Sequence, residues 1–194
     1  WASPPLLLPT KIFLSIKASF QYFVEVEIQA IIFVTIGGIL PLYSGAQNMI
    51  PSDEIIDFIA SNQNFMPHLH IPLQSGSDRI LKKMKRRYNV QHYLNRIDKI
   101  KNNIKDCTIG VDIMTGFPGE TEKDFNDTYS LLNDLPLSYF HVFPFSEREG
   151  TLAADMNGTI ELDIRYARAK ILRKLSKIKF QKTHEDNVGI IRPV

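Results

Sequence analysis

The stretch HLHIPLQSGSDRILKKMKRRY, His68 to Tyr88, decides how this chain folds. An apolar segment runs straight into Gln-Ser-Gly-Ser and then into a helical segment with five cations among the six residues Lys82 to Arg87. A packed core requires no such junction. A strand that ends in a polar, glycine-containing turn and then a helix N-terminus is how α/β proteins offer backbone N–H groups to an anionic ligand.

Outward from this junction the pattern is regular from Met49 onward. IPSDEIIDFIASN predicts a helix, with Ser52 as N-cap and Asp53 and Glu54 at the positive end of its dipole. HLHIPL predicts a short strand, and SDRILKKMKRR a helix begun by Ser77 or Asp78. NVQHYLNRIDKIKNN predicts a second helix, capped by Asn89 and placing Tyr93, Ile97 and Ile100 on one face. CTIGVDIMTGF is an apolar strand ending in a glycine turn. TEKDFNDTYSLLNDL is a helix capped by Thr121 and followed by Pro136, SYFHVFPF is a further strand, and DIRYARAKILRKLSKIKFQK is a long basic helix. Strands alternating with helices imply parallel βα units in a barrel or an open sheet. About three such units are present, too few for a closed barrel, which takes roughly eight. The first 48 residues supply the missing strands, through a segment such as FQYFVEVEIQAIIFVTIGG, or the chain is a fragment.

Composition narrows the class. The 194 residues are 44% hydrophobic and 23% charged, which places the chain among soluble globular proteins. A net charge of +2 does not by itself imply nucleic-acid binding, but the charge is unevenly placed: residues 1–48 carry only Lys11, Lys17, Glu25 and Glu27. The single cysteine, Cys107, excludes an internal disulfide, suits a reducing cytoplasm and limits thiolate metal chemistry. The apolar run Ala30 to Tyr43 is short of the roughly 20 residues that span a bilayer, and no signal peptide is evident, so no membrane role is expected. A chain that starts at Trp1 is expected to be processed or incomplete.

In parallel α/β proteins, ligands sit at the carboxyl ends of the strands. Three such ends can be placed: PLQSGS, MTGFPGET and FPFSEREGT. Gly116 and Gly119, around Phe117-Pro118, allow a flat ligand close to the backbone, with Glu120 and Asp112 as the available carboxylates. The alternative is a plain strand-to-helix turn with Glu120 as a dipole partner. Gln74, Ser75 and Ser77 either bond a ligand or cap the next helix. The basic run Lys82, Lys83, Lys85, Arg86, Arg87 reads first as a solvated helix face; the alternative is that one of its arginines turns inward to hold a carboxylate. His68 and His70 share one strand face, and a structural role is favoured there because no third metal ligand lies nearby. His141, Ser146 and Cys107 fall in no nucleophile-elbow motif.

HLHIPLQSGSDRILKKMKRRY, GVDIMTGFPGETEKDF and HVFPFSEREGTLAADM together resemble the second half of the radical S-adenosylmethionine domain of tRNA methylthiotransferases, over about Met49 to Lys182. Within that family, HVFPFSEREGT most resembles the enzymes that act on threonylcarbamoyladenosine beside the tRNA anticodon. The resemblance implies the last three or so βα units of a partial (βα)6 barrel that binds a 4Fe-4S cluster and S-adenosylmethionine. In the family, the reduced cluster cleaves the sulfonium to a 5′-deoxyadenosyl radical, which abstracts hydrogen so that sulfur can be inserted. The resemblance places Gln74, Ser75 and Ser77 near the methionine or ribose and makes Arg86 a carboxylate partner. It sets Asp112, Ile113, Gly116, Pro118, Gly119 and Glu120 along the adenosine, with Phe143 to Ser146 at the mouth.

The family binds its radical cluster through C-x-x-x-C-x-x-C, and residues 1–106 contain no cysteine. The chain is therefore expected to be an inactive part of such an enzyme: residues 1–48 unassigned and unlike the family, 49–182 the barrel half, and 183–194 a tail without the family's RNA-binding β-barrel. The alternatives are a non-catalytic α/β module that binds S-adenosylmethionine or RNA, and an unrelated barrel enzyme using Glu120 or Asp112 for acid–base chemistry.

Overall fold

The computed structural model describes residues 50–62 and 65–190, together with the backbone of two short strands, β1 (Ile32–Thr35) and β2 (Ile39–Leu42). These two strands pair antiparallel, Ile32 opposite Leu42, in a sheet of their own. They form a hairpin, not a further parallel βα unit. The other residues of the expected N-terminal strand segment, 20–31 and 36–38, lie outside the described residues.

The main body runs α1 (Asp53–Ser61), β3 (His68–His70), α2 (Asp78–Lys83), α3 (Val90–Asn103), β4 (Thr108–Thr115), α4 (Glu122–Asp134), β5 (Tyr139–Pro144) and α5 (Leu162–Glu185). The strands form one parallel sheet in the order β3-β4-β5, with His70 beside Gly110 and Asp112 beside His141. This is the partial βα architecture expected from the sequence. Period-two alternation sends Leu69, Ile109, Val111, Ile113, Phe140 and Val142 to one face. There they pack against Tyr93, Ile97 and Ile100 of α3, Leu132 of α4 and Leu172 of α5 in one continuous core. Each such buried aliphatic side chain is worth about 1.5–3 kcal/mol relative to exposure. The Tyr93 hydroxyl, deep in this core, donates to the Ile71 carbonyl at 2.6 Å, so no polar atom is stranded there.

Local signals explain most element boundaries. The Asn89 side chain accepts from His92 N–H at 2.7 Å to start α3, and Thr121 with Asp124 forms a reciprocal capping box at α4. α2 is shorter than expected. Lys85 takes a left-handed φ of 56°, and the Arg86 N–H reaches back to the Leu81 carbonyl at 2.9 Å, closing the helix as a Schellman turn. The basic run is thus split: Lys82 and Lys83 ride the helix, and Lys85 to Arg87 form the turn beyond it. β3 also stops early, because Pro72 has no N–H for the ladder. The chain rejoins the sheet at Gln74 (φ 69°), whose N–H donates to Asp112 and whose carbonyl accepts from Met114.

The outer edge of β5 is closed by α5. Ser176 Oγ accepts from Phe140 N–H and donates to the Phe140 carbonyl, both at 2.8 Å, and Arg173 donates to the Val142 carbonyl at 2.8 Å. Side chains of a helix stand here where the hydrogen bonds of a neighbouring strand would run, which protects the edge from pairing.

A second lock joins the β3–α2 junction to α4. The buried Asp124 carboxylate accepts from Ser77 Oγ at 2.6 Å, from both Nε and Nη2 of Arg79, and from Thr121 N–H at 2.8 Å. Burial works to raise this carboxyl, but the bonds from Arg79, Ser77 and Thr121 outweigh it and hold the group well below the usual carboxylate range. Nearby, Gly76 N–H donates to Thr128 Oγ1 at 2.9 Å, and a β-carbon at Gly76 would collide with the Thr128 backbone.

Two outcomes are expected. Ser176→Ala leaves both backbone groups of buried Phe140 without their partner and costs about 1–3 kcal/mol in urea unfolding. A loss indistinguishable from zero would show that β5 does not rely on this cap. Asp124 titrates lower folded than unfolded, so its stabilisation is fully present above the unfolded carboxylate value of 3.8 and drains away as pH falls further. Asp124→Asn should cost about 2–3 kcal/mol at neutral pH and flatten the acid limb of the stability profile. An unchanged acid limb would assign that limb to other carboxylates.

Candidate functional site

The turn after β4 is braced from two sides. Gly116 takes φ 72°, and its N–H donates to Glu120 Oε2 at 2.8 Å. The same Glu120 oxygen accepts from Arg168 Nη1 at 2.7 Å, and Arg168 lies 5.3 Å over the Phe125 ring. Burial lifts the Glu120 carboxyl above its ordinary value, partly offset by the Gly116 N–H and the Arg168 guanidinium. Gly119 takes φ 80°; its N–H donates to the Gly158 carbonyl at 2.6 Å, and its own carbonyl accepts from Arg79 at 2.6 Å. Lys83 Nζ stands 3.5 Å from the Pro118 carbonyl. The turn is therefore gripped by α2 from one side and α5 from the other. Part of the basic helix holds the protein's own backbone.

Arg165 completes the brace. Its buried guanidinium donates to the Phe145 carbonyl at 2.8 Å and the Ile160 carbonyl at 2.6 Å, and it pairs through two nitrogens with Glu147. That hydrogen bonding lowers the Glu147 carboxyl to about 2. A β-carbon at Gly116 would strike the Arg165 side chain, so glycine is required twice over, by conformation and by space. Phe117 and Phe145 meet edge to face at 5.4 Å, and with Ile80 and the partly buried Met84, Met114 and Met156 they form a small apolar cluster at this end of the sheet.

The sheet face opposite the helices is polar and aromatic. Asp112 Oδ1 lies 2.9 Å from His70 Nε2. His68 bonds Thr108 Oγ1 through Nδ1 at 2.8 Å and the Tyr139 hydroxyl through Nε2 at 3.2 Å. Burial, and secondarily His70, lowers the pKa of His68. Gly110 lies directly beneath the Tyr139 ring, where any β-carbon would collide. Both imidazoles of the His-x-His pair are thus engaged by neighbours on their own sheet face.

Of the residues expected at the site, Gln74, Asp112, Gly116, Pro118, Gly119 and Phe143 come together around the strand ends. Asp112 and Phe143 share the polar face, and Phe143 is half exposed. Ser75 is fully buried and accepts from Ser77 N–H, while Ser77 Oγ is spent on Asp124. Both serines shape the junction from beneath. Ile113 points into the helix-side core, and Glu120 is held by Arg168. Arg86 sits half-buried in the turn after α2, where it lines a shallow cavity with Tyr88 and His92. Ser146 is exposed just beyond β5. Sequence reasoning missed Arg79, Asp124, Arg165 and Arg168. Their partners lie 45 residues away for Arg79 with Asp124 and 48 for Arg168 with Glu120, a separation that leaves no local signal.

The residues at this mouth combine a polar and an apolar side. Asp112 presents a partly exposed carboxylate, Met114 and Phe143 present an apolar surface, and Gly116 and Gly119 turn the backbone through positive φ. They do not fit an iron–sulfur cluster. Cys107 is the only cysteine, it immediately precedes β4 at the opposite end of the sheet, and burial pushes its thiol up to about 11.

Comparison with known proteins follows the same line. The Radical SAM superfamily model matches residues 5–132, a span that includes most of the segment 1–48 left unassigned by its residues. A tRNA-2-methylthio-N(6)-dimethylallyladenosine synthase from Thermoanaerobacter pseudethanolicus is 42% identical over 135 residues, covering 69% of this chain and 29% of that protein. The threonylcarbamoyladenosine tRNA methylthiotransferase MtaB of Aquifex aeolicus is 39% identical over 136 residues, 70% of this chain and 33% of that protein. The protein of the same name from Rickettsia prowazekii is 46% identical over 122 residues, 63% of this chain and 29% of that protein. The chain thus spans roughly a third of the length of these curated relatives. Its matched residues, its parallel sheet and its strand-end turns agree: the chain belongs to the radical SAM superfamily.

Proposed function

We propose that this chain is the cosubstrate-facing part of a tRNA methylthiotransferase barrel, and that the 194-residue polypeptide by itself binds S-adenosylmethionine without turning it over. The observation that carries the reading is the braced Gly116–Glu120 turn beside the polar sheet face, at the strand ends where the family words stand. Asp112 would accept from ribose hydroxyls, Phe143 and Met114 would flank the adenine, and Gln74 would close the β3 side. Ser75, Ser77 and Glu120 serve as the frame that fixes these groups, and Arg86 is a more distant carboxylate partner. The cluster, when present in a complete enzyme, supplies the electron for radical chemistry. One buried thiol cannot supply its ligands here.

Threonylcarbamoyladenosine in tRNA is the proposed substrate of the parent activity, on the wording HVFPFSEREGT at His141 to Thr151. The barrel half is assigned to 49–182, and the compartment to the cytoplasm, where a lone thiol stays reduced. Among the described residues no helix is long and apolar enough to cross a membrane. The single cysteine also favours a second reading for the chain on its own, a binding module without catalysis.

Calorimetric titration with S-adenosylmethionine is expected to give weak saturable binding, reduced roughly tenfold by Asp112→Ala through loss of about 1.4 kcal/mol of charged hydrogen bonding. Absence of heat at millimolar ligand would sink the cosubstrate site. After anaerobic incubation with iron, sulfide, dithionite and tRNA, mass spectrometry should find neither 5′-deoxyadenosine nor a methylthiolated nucleoside. Turnover by this chain would overturn its inactivity.

A further inference from the structure

Helix α5 has a second exposed stripe that the strand-end site does not use. Tyr166, Lys170, Arg173, Lys177, Phe180 and His184 recur at intervals of three and four residues, so they lie along one side of the helix, with three cations flanked by rings at both ends. All six are exposed, with Tyr166 and Phe180 at 57% and 49%. The stripe borders β5, and between them runs a groove lined by Tyr139, His141, Arg173, Lys177 and Phe180, with no carboxylate among the described residues of its walls.

The rings continue from this groove onto the polar sheet face. His184 and Phe180 are 4.2 Å apart between centroids, Phe180 and Tyr139 6.2 Å, Tyr139 and His141 5.3 Å, and His141 and Phe143 6.4 Å. Phe143 stands at the strand ends, beside the proposed cosubstrate site. A ladder of π-faces therefore leads from the basic side of α5, around the edge of β5, to the mouth.

The edge itself rules out one kind of partner. Ser176 and Arg173 already occupy the outward N–H and carbonyl of Phe140 and the carbonyl of Val142, so an added protein strand finds no ladder to join. Cations that track a backbone, beside rings on which bases stack, are the chemistry of single-stranded nucleic-acid binding. We propose that the β5–α5 groove is a docking path for a short single-stranded RNA segment, its phosphates on Lys170 and Lys177 and its bases on Phe180, Tyr139 and His141, directed toward the strand ends. This rests on the tRNA reading above and adds to it the surface by which the substrate strand would enter.

Fluorescence anisotropy of the full chain with a fluorescein-labelled 12-nucleotide unstructured RNA, at low salt, tests it. The RNA should bind, and Lys177→Glu and Phe180→Ala should each weaken it roughly tenfold. Lys123→Glu, on the exposed face of α4, should change affinity less than twofold. Lys170→Glu with Lys177→Glu should also reduce the dependence of log affinity on log salt by about 1.4, as two released phosphate contacts require. No binding, or equal loss in all variants, overturns the groove. So does sedimentation showing a dimer that Phe180→Ala dissociates, because a second copy of the chain would then be the occupant. Circular dichroism melts confirm that each variant is folded, and S-adenosylmethionine titration of the same samples separates the possible failures. Retained cosubstrate binding with no RNA binding refutes the groove alone, whereas loss of both in the wild type refutes the reading beneath it.

Discussion

Asp124 is the constraint on which the strand-end geometry depends. Its carboxylate lies on the first turn of α4, yet it binds Ser77 and Arg79 from the β3–α2 junction and the N-cap Thr121 of its own helix. Arg79, held in this way, reaches on to the Gly119 carbonyl and so positions the turn after β4. One buried acceptor therefore sets two of the three strand ends relative to each other. Arg165 sets the third, joining the turn at Gly116 to the carbonyls of Phe145 and Ile160. A buried carboxylate is costly to desolvate, and it is tolerable here because every approach to it is occupied by a donor.

The two faces of the sheet obey different rules. Parallel sheets are usually covered on both sides and read as near-continuous apolar runs. Here only the helix side does so, with Leu69, Ile109, Val111 and Val142 in the core. The other side carries His68 bonded to Tyr139 and His70 paired with Asp112 across strands, with the His141 ring against those of His70 and Tyr139. Polar groups arranged like this do not improve a hydrophobic core. They suit a face that borders a ligand-bearing cavity, which is where the interior of a partial barrel lies. Gly110 records the same requirement, since it leaves room for the Tyr139 ring to lie flat over the strand.

Much of this was legible in the sequence because it is locally encoded. Asn89 and Thr121 announce their helices through bonds to residues three positions away, and the alternation in VDIMTG shows which side chains enter the core. The strand-end turns were visible as glycine and proline clusters. What could not be read was the use of the polar residues inside them. Ser77 and Glu120 look like ligand-binding groups until their partners, Asp124 and Arg168, are brought in from distant helices. The same holds for the basic run, whose division between helix and turn depends on the left-handed Lys85. Lysine carries no sequence signature for that conformation, which glycine normally marks.

Helix α5 shows how one element can satisfy demands that a short sequence pattern conceals. Its inner face is not apolar in the usual sense: beside Ala169, Leu172 and Leu175 it buries Arg165, Arg168 and Ser176. Each of these polar groups ends on a backbone carbonyl or a carboxylate at the strand ends or the β5 edge. The helix thereby braces the strand ends, closes the sheet and leaves its flank of rings and cations facing solvent. None of those braces involves Cys107 or any other thiol, so the frame of the site is independent of cluster chemistry.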